Sequence, residues 1–475
     1  MLKLAFFFEF RSLLRNRAGA TALLAYLAIG ALALVLGERH VEEWRTAVET
    51  ATVEQDRSIA DAQEFLTNGE SGPSEKPWVN LSQPMWQDRY AGTRVAREPG
   101  ALAGVAAGSV DPAPVVFHIH RRADPLAVGG YRIENPELST GSVDLVFVLS
   151  ILTPLLLGVL GFDIGGRERE RRIDRLIVVQ AGSVGNWLLA RMVAVTSLVI
   201  FASSILCLSV ALFNEVSPRE IGCLIGFSSL YTAIWGGLLL AVNGNAPSVR
   251  AGAFAFGSVW ALLCVLMPTL IAEVGISSVQ TDFAVTETLK TRELAYDAYE
   301  GDIEDLTATL YTHYPELSSL PAASDAELEP HIARHAYDGI LFQALAQRHA
   351  DRLDQEQATM QLAQNAAWIS PPVALTLALE RLSGTGPDAA SAYRSHLMDA
   401  VQNRIGWILV NAWSKADLGQ SDFQSLTERG SPPFRWQPSG LTGPFLSLGV
   451  WMMLSWTCAI LVLRRIGRRL NAGYE

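Results

Sequence analysis

The chain has 475 residues, of which 49% are hydrophobic and 18% charged, and its formal net charge is −11. Such a composition excludes a disordered chain, and the negative balance excludes a generally basic, nucleic-acid-binding surface. Four cysteines, Cys207, Cys223, Cys264 and Cys458, are too few for a disulfide scaffold, and all lie inside apolar runs.

Residues 1–17 place Leu4, Phe6, Phe7, Phe8, Phe10, Leu13 and Leu14 beside Lys3, Arg11, Arg15 and Arg17. That mixture suits an amphipathic helix in the headgroup plane. Six apolar runs of 18 to 22 residues then follow, at 18–37, 145–162, 192–213, 221–242, 251–272 and 445–463, none with a charged side chain. Each is long enough to cross a hydrocarbon core of about 30 Å as a helix. The alternative for the first is a cleaved signal peptide, since Ala31-Leu32-Ala33 mimics a processing site. That tripeptide sits inside the apolar run, and the segment ahead of it is long and amphipathic, so a span is the expectation.

Orientation follows from the basic residues. With a cytoplasmic N-terminus, the inner segments 1–17, 163–191, 243–250 and 464–475 hold 15 basic and 6 acidic residues, whereas 273–444 holds 11 basic and 23 acidic ones. Short loops rich in Lys and Arg belong inside. The sequence therefore predicts an all-α polytopic membrane protein with six transmembrane helices and both termini cytoplasmic, carrying a mainly helical extracytoplasmic domain. Its parts are an interfacial helix at 1–17, a first span at 18–37, an extracytoplasmic segment at 38–144, and spans two to five at 145–272 around a cytoplasmic loop at 163–191. An extracytoplasmic domain at 273–444, a sixth span at 445–463 and a tail at 464–475 complete the chain.

Within the polar segments, Glu38 to Leu66 reads as a charged helix continuing out of the first span until Asn68-Gly69-Glu70-Ser71-Gly72-Pro73 breaks it. A strand is expected at Val115–His120. Ser324 with Glu327 forms a capping-box pattern ahead of a helix through Ala350, and Pro387 opens another helix. Tyr393, Leu397, Met398, Val401, Ile405 and Ile408 on that second helix recur at helical spacing, the stripe of a packed core.

Catalytic signatures are missing: the sequence contains no GxxxxGK[ST], GxSxG, HExxH or CxxC pattern. Gly384-Thr385-Gly386 reads as a loop and helix cap. His118 with His120, and His331 with His335, are each two potential ligands, which is short of a metal site, so no metal is expected. Residues 163–191 form the longest inner loop. Their alternating charges suit a solvated helix or a docking knob for another protein.

Glu9-Phe10-Arg11-Ser12-Leu13-Leu14-Arg15-Asn16-Arg17, the six spans and the Glu168-Arg169-Glu170 loop after the second span resemble the permease subunit of ABC-2 type transporters. The resemblance is closest to the subgroup with a large extracytoplasmic domain of unknown function between the fifth and sixth spans. It extends to Gly141–Val148 with Leu152-Thr153-Pro154-Leu155-Leu156, and to Ser370-Pro371-Pro372, Leu382–Gly386, Tyr393-Arg394 and Pro433-Phe434-Arg435-Trp436. The chain departs from the family's usual Glu-Arg-Glu-x-Gly-Thr-Leu by reading Glu168 to Asp174 as ERERRID, and it lacks the proline usual near Ala181.

The resemblance implies a non-enzymatic transport subunit, an exporter, in a bacterial cytoplasmic (inner) membrane. Its expected partners are a cytoplasmic ABC ATPase, a second permease chain (a copy or a paralogue) and membrane lipid, but no nucleic acid. It implies no cofactor in this chain, with ATP and Mg on the partner ATPase, and ATPase coupling through Arg11, Arg15, Arg167, Glu168, Arg169, Glu170 and Arg175. The alternative is a membrane-anchored envelope scaffold or sensor without transport activity.

Overall fold

The computed structural model describes residues 2–91, 94–109, 115–119, 143–173, 176–177, 179, 183–278, 293, 296, 303–325, 328–428 and 433–472. The fold is all-α and polytopic, with six helical segments long and apolar enough to cross a membrane: Arg17–Thr67, Leu145–Glu170, Val184–Leu212, Pro218–Asn245, Val249–Val274 and Thr442–Arg468. Six crossings put both termini on one side, here called the terminal side. The long polar segments lie on the other, the domain side.

Helix α1 (Leu2–Arg15) is separated from α2 (Arg17–Thr67) by Asn16 alone, whose Oδ1 accepts from the Ala18 amide at 3.2 Å and starts the new helix. Nothing interrupts α2 for 51 residues, so it is a rod about 76 Å long that leaves the membrane and continues to Asn68. Its buried residues, Tyr26, Gly30, Ala33, Gly37, Val41 and Trp44, follow helical spacing along one face. Gly37 is required by a close approach: a Cβ there would meet the Gly104 carbonyl oxygen at 2.0 Å.

The second span comprises α4 (Leu145–Phe147), a π turn at Val148–Leu152 and α5 (Thr153–Gly161). The third and fourth are α7 (Val184–Ser209) and α8 (Pro218–Asn245), each started by a serine, Ser183 or Ser217, that accepts a backbone N–H. The fifth is α9 (Val249–Ala261), a second π turn at Leu262–Leu266, and α10 (Met267–Ser278). A π turn frees carbonyls from the helical ladder. Ser150 O, in the first π turn, accepts the Tyr231 hydroxyl at 2.6 Å and the Cys264 thiol at 3.7 Å, which ties spans two, four and five together. The Tyr26 hydroxyl likewise joins Thr153 Oγ1 at 2.9 Å and Ser203 Oγ at 2.8 Å. All four cysteines are free thiols.

On the domain side, α3 (Pro84–Ala91), β1 (Arg94–Ala96) and β2 (Val116–His118) pack with α11 (Ile303–His313), α12 (Pro330–Ile369), α13 (Pro371–Ser383), α14 (Pro387–Trp413) and α15 (Gln420–Glu428). The strands pair antiparallel, Val95 opposite Phe117. The expected strand is thus present, with His120 outside the described residues. One core joins Val95, Phe117 and Ile119 to Leu310, Ile332, Phe342 and the stripe on α14 from Tyr393 to Ile405. Across the same boundary Arg404 Nε meets Asp88 Oδ1 at 2.6 Å, both buried, and the Tyr393 hydroxyl donates to Val95 O at 2.9 Å. Burial raises the pKa of that phenol, so it remains a donor. The two polar segments therefore build one composite domain.

Two local expectations are corrected. Ser324 ends a short 3-10 turn, with Oγ donating to Pro321 O at 2.8 Å, and α12 starts only at Pro330; Glu327 lies outside the described residues. The Pro at the first turn replaces the serine cap as the start signal. Helix α12 also runs well past Ala350, to Ile369. The sixth span is α16 (Thr442–Ala472).

Candidate partner-docking site

The terminal-side site is built where the loop after the second span meets the ends of four helices. Gly165, at φ +87°, turns the chain into α6 (Gly166–Glu170), a helix of 5 residues. Glu168 reaches back and its Oε2 accepts the Gly165 N–H at 2.7 Å, fixing the start of that helix. Its Oε1 pairs with Arg191 Nη1 from α7. Arg191 Nε in turn meets Glu9 Oε2 of α1 at 2.5 Å. Glu9, Glu168 and Arg191 are 3%, 4% and 7% exposed, so one guanidinium holds two buried carboxylates. Buried charges persist only when paired in this manner.

The next two residues grip other spans. Arg169 donates from Nη1 to Gly244 O at 3.0 Å and from Nη2 to Asn243 O, both at the end of α8. Glu170 Oε1 accepts the Val249 amide at 2.9 Å, capping α9, where an acidic group also complements the helix dipole. Asn243 Nδ2 donates to Gly161 O at 2.9 Å, fastening the end of α8 to that of α5. Three consecutive side chains thus hold spans three, four and five.

The seven residues expected from the sequence fall into distinct environments. Arg11 and Arg15 are exposed on α1, and Arg167 is exposed with Asp163 Oδ2 3.0 Å away. Glu170 is exposed except for its cap, Arg169 is half-buried, and Glu168 is buried. Of the two readings left open for this loop, a salt-bridged, solvated face or a docking knob, Glu168 belongs to neither surface, because its carboxylate is spent inside the protein on Arg191. Arg175 lies outside the described residues. What faces solvent instead is Arg167, Arg171 and Arg172, followed by Ile173, Leu176 and Val179, a basic edge joined to an apolar one. Arg172 is left-handed at φ +54°, and the Ile173 amide returns to Glu168 O at 3.1 Å, which ends α6 and turns this edge outward.

Glu9 and Arg191 were absent from the sequence-based set. Their signals are thin: a lone acid in a basic, aromatic helix, and a lone charge at the margin of an apolar run. Among the described residues no three His, Cys, Asp or Glu side chains converge as a metal-binding set. His335 is buried with Asp338 3.9 Å away, and His118 Nδ1 accepts from Arg94 Nε at 3.3 Å.

No curated protein and no solved structure matches the chain. Residues 279–436 match one protein family, described as a domain of unknown function (DUF3526), and this match falls on the domain-side unit between the fifth and sixth spans.

Proposed function

We propose that this chain is the membrane-spanning permease subunit of an ATP-driven, ABC-2 type transporter, an exporter of a bacterial inner membrane, which takes its ATP chemistry from a separate cytoplasmic subunit. The observation that carries this reading is the grip of Glu168, Arg169 and Glu170 on three different spans. A push on this short loop is delivered to spans three, four and five together, and through Arg191 and Glu9 to α1. A chain without nucleotide-binding motifs needs such a receiving surface, and the basic and apolar edge from Arg167 to Val179 offers one. The sequence resemblance supports the same assignment, as does the position of the matched domain between spans five and six.

On this reading the terminal side is cytoplasmic, in line with its basic excess. The domain side is extracytoplasmic. Arg11, Arg15, Arg167 and Arg171 contact the ATPase or the headgroups around it, while Glu168, Arg169 and Glu170 pass on its motion. ATP and Mg belong to the partner, and the working unit contains a second permease chain, a copy or a paralogue. Purifying the tagged chain from native membranes and identifying what accompanies it tests the proposal. A stoichiometric ATPase supports it. A chain that is stable and active without one refutes it and leaves a scaffold or sensor.

A further inference from the structure

The turn between α12 and α13 reaches far into the level of the spans. Ser370 Oγ contacts Leu263 O at 3.4 Å, and Leu263 lies fourteen residues into the fifth span, about 21 Å from its terminal-side start at 1.5 Å per residue. From the other end, the Trp451 indole donates to Trp368 O at 2.9 Å, and Trp451 is nine residues, about 14 Å, inside the domain-side start of α16. Both measures place residues 368–370 well within a core of about 30 Å.

The chemistry of the turn suits that depth. Non-helical backbone survives in a membrane only where its polar groups are satisfied by protein. Ala367 O accepts Ser447 Oγ at 2.6 Å, Trp368 O is taken by Trp451, and the Ser370 amide bonds Ala366 O at 3.0 Å. Pro371 and Pro372 follow and bring no N–H to satisfy. Beyond them α13 is buried in the same apolar core as the spans, through Ala374, Leu375, Ala378 and Leu379. Residues 366–379 contain neither charged nor amide side chains, an apolar run too short to cross but long enough to dip in and return.

Trp368 and Ile369 are left 49% and 58% exposed at this level, and Leu266 and Leu270 in the domain-side part of span five and Leu446 near the domain-side start of span six are exposed as well. Large apolar side chains exposed at the depth of a hydrocarbon core suit lipid contact. We propose that the α12–α13 elbow is inserted in the domain-side leaflet and that Trp368 and Ile369 bind its phospholipids, both side chains lying against the acyl chains. The domain thereby has a lipid-contacting foot at the mouth of the bundle. This inference rests on the membrane fold and is independent of the ATPase.

The test uses the full chain with Cys223→Ser and Cys458→Ser, leaving the buried Cys207 and Cys264. Ile369→Cys is labelled with bimane and reconstituted in phosphatidylcholine vesicles, with or without bromine on the acyl chains. Ala358→Cys, eleven residues and about 16 Å higher on α12, is the reference. Brominated lipid is expected to quench position 369 several times more than position 358, and aqueous iodide to do the reverse. Trp368→Cys reports from the same turn if Ile369→Cys does not fold. Iodide quenching at 369 overturns the proposal in favour of a solvated loop, and quenching by neither agent overturns it in favour of a protein contact, such as a second chain.

Discussion

Replacing Arg191 with methionine keeps an unbranched stem and removes the one cation shared by Glu9 and Glu168. Two buried carboxylates then face each other. Removing one partner of a buried pair costs roughly 3–5 kcal/mol. The triad carries two negative charges against one positive, so Glu9→Gln leaves a balanced pair and is expected to cost only about 1 kcal/mol, the worth of a hydrogen bond. Glu168→Gln keeps a single acceptor oxygen where two are used, so it retains either the Arg191 contact or the cap on the Gly165 amide but not both, and it ranks between the two.

Hydrogen exchange in the α1 peptide measures this directly, because opening of α1 breaks the Glu9 contact without global unfolding. In R191M the exchange of residues 2–15 is expected to rise by roughly a hundredfold or more at pH 7, since each 1.4 kcal/mol is tenfold. E9Q/R191M is expected to be milder than R191M, because only one buried carboxylate is then left without a cation. An R191M profile within threefold of the wild type refutes the claim that the triad holds α1 in place.

Three further outcomes are expected. Arg171→Glu with Arg172→Glu alters only exposed side chains, so insertion and thermal stability should match the wild type while ATPase co-purification is lost; retained ATPase would remove this edge from the docking surface. An excised 273–444 fragment should be helical by circular dichroism yet lack a cooperative melt, because Val95, Phe117 and Ile119 are missing from its core and Arg404 has lost Asp88; a sharp melt would refute the composite domain. Gly37→Val must displace the Gly104 backbone and should destabilise the chain by about 1–3 kcal/mol, typical of overpacking, read as a lower melting temperature in detergent; an unchanged melt would show that this contact yields freely.

The spans were legible because hydropathy over twenty residues is a local property, and the continuation of α2 to Asn68 was legible because no breaker precedes the Asn68-Gly69 pair. The α14 stripe was legible for the same reason, as a period on one helix. What the sequence hid was long-range. Nothing local tells that Asp88 will meet Arg404, 316 positions away, so an apparently self-contained second segment proved to be half of a domain. Glu168 looked solvated because alternating charges mark a surface helix, whereas its partner Arg191 stands 23 residues on, at the margin of a span. The elbow at Ser370 did leave a trace in the fourteen residues 366–379 that carry neither charged nor amide side chains, but a search for complete crossings passes over an apolar run of that length.

The domain is not a pendant on a flexible stalk, and this constrains how motion can reach it. Trp44 on the extension of the first span donates to Arg97 O at 2.6 Å, and the Arg97 guanidinium stacks over the Trp44 ring at 5.4 Å and donates to Gly384 O at 2.7 Å. Next to it Arg381 donates to Gly440 O at 2.9 Å, two residues before α16 begins, and accepts the Trp436 indole on its carbonyl at 2.7 Å. The tops of the first and sixth spans are thus joined through the motif Leu382–Gly386, whose Gly384 ends α13 in the left-handed conformation. A domain fixed at both of these helices and seated by α13 among the others cannot swing freely when the spans shift. Any displacement started at Glu168 and Glu9 must either be absorbed by the π turns at Val148–Leu152 and Leu262–Leu266, where the helical ladder is already interrupted, or appear at the elbow. Since Ser370 is bonded to the second of those turns, the two routes converge on the same place.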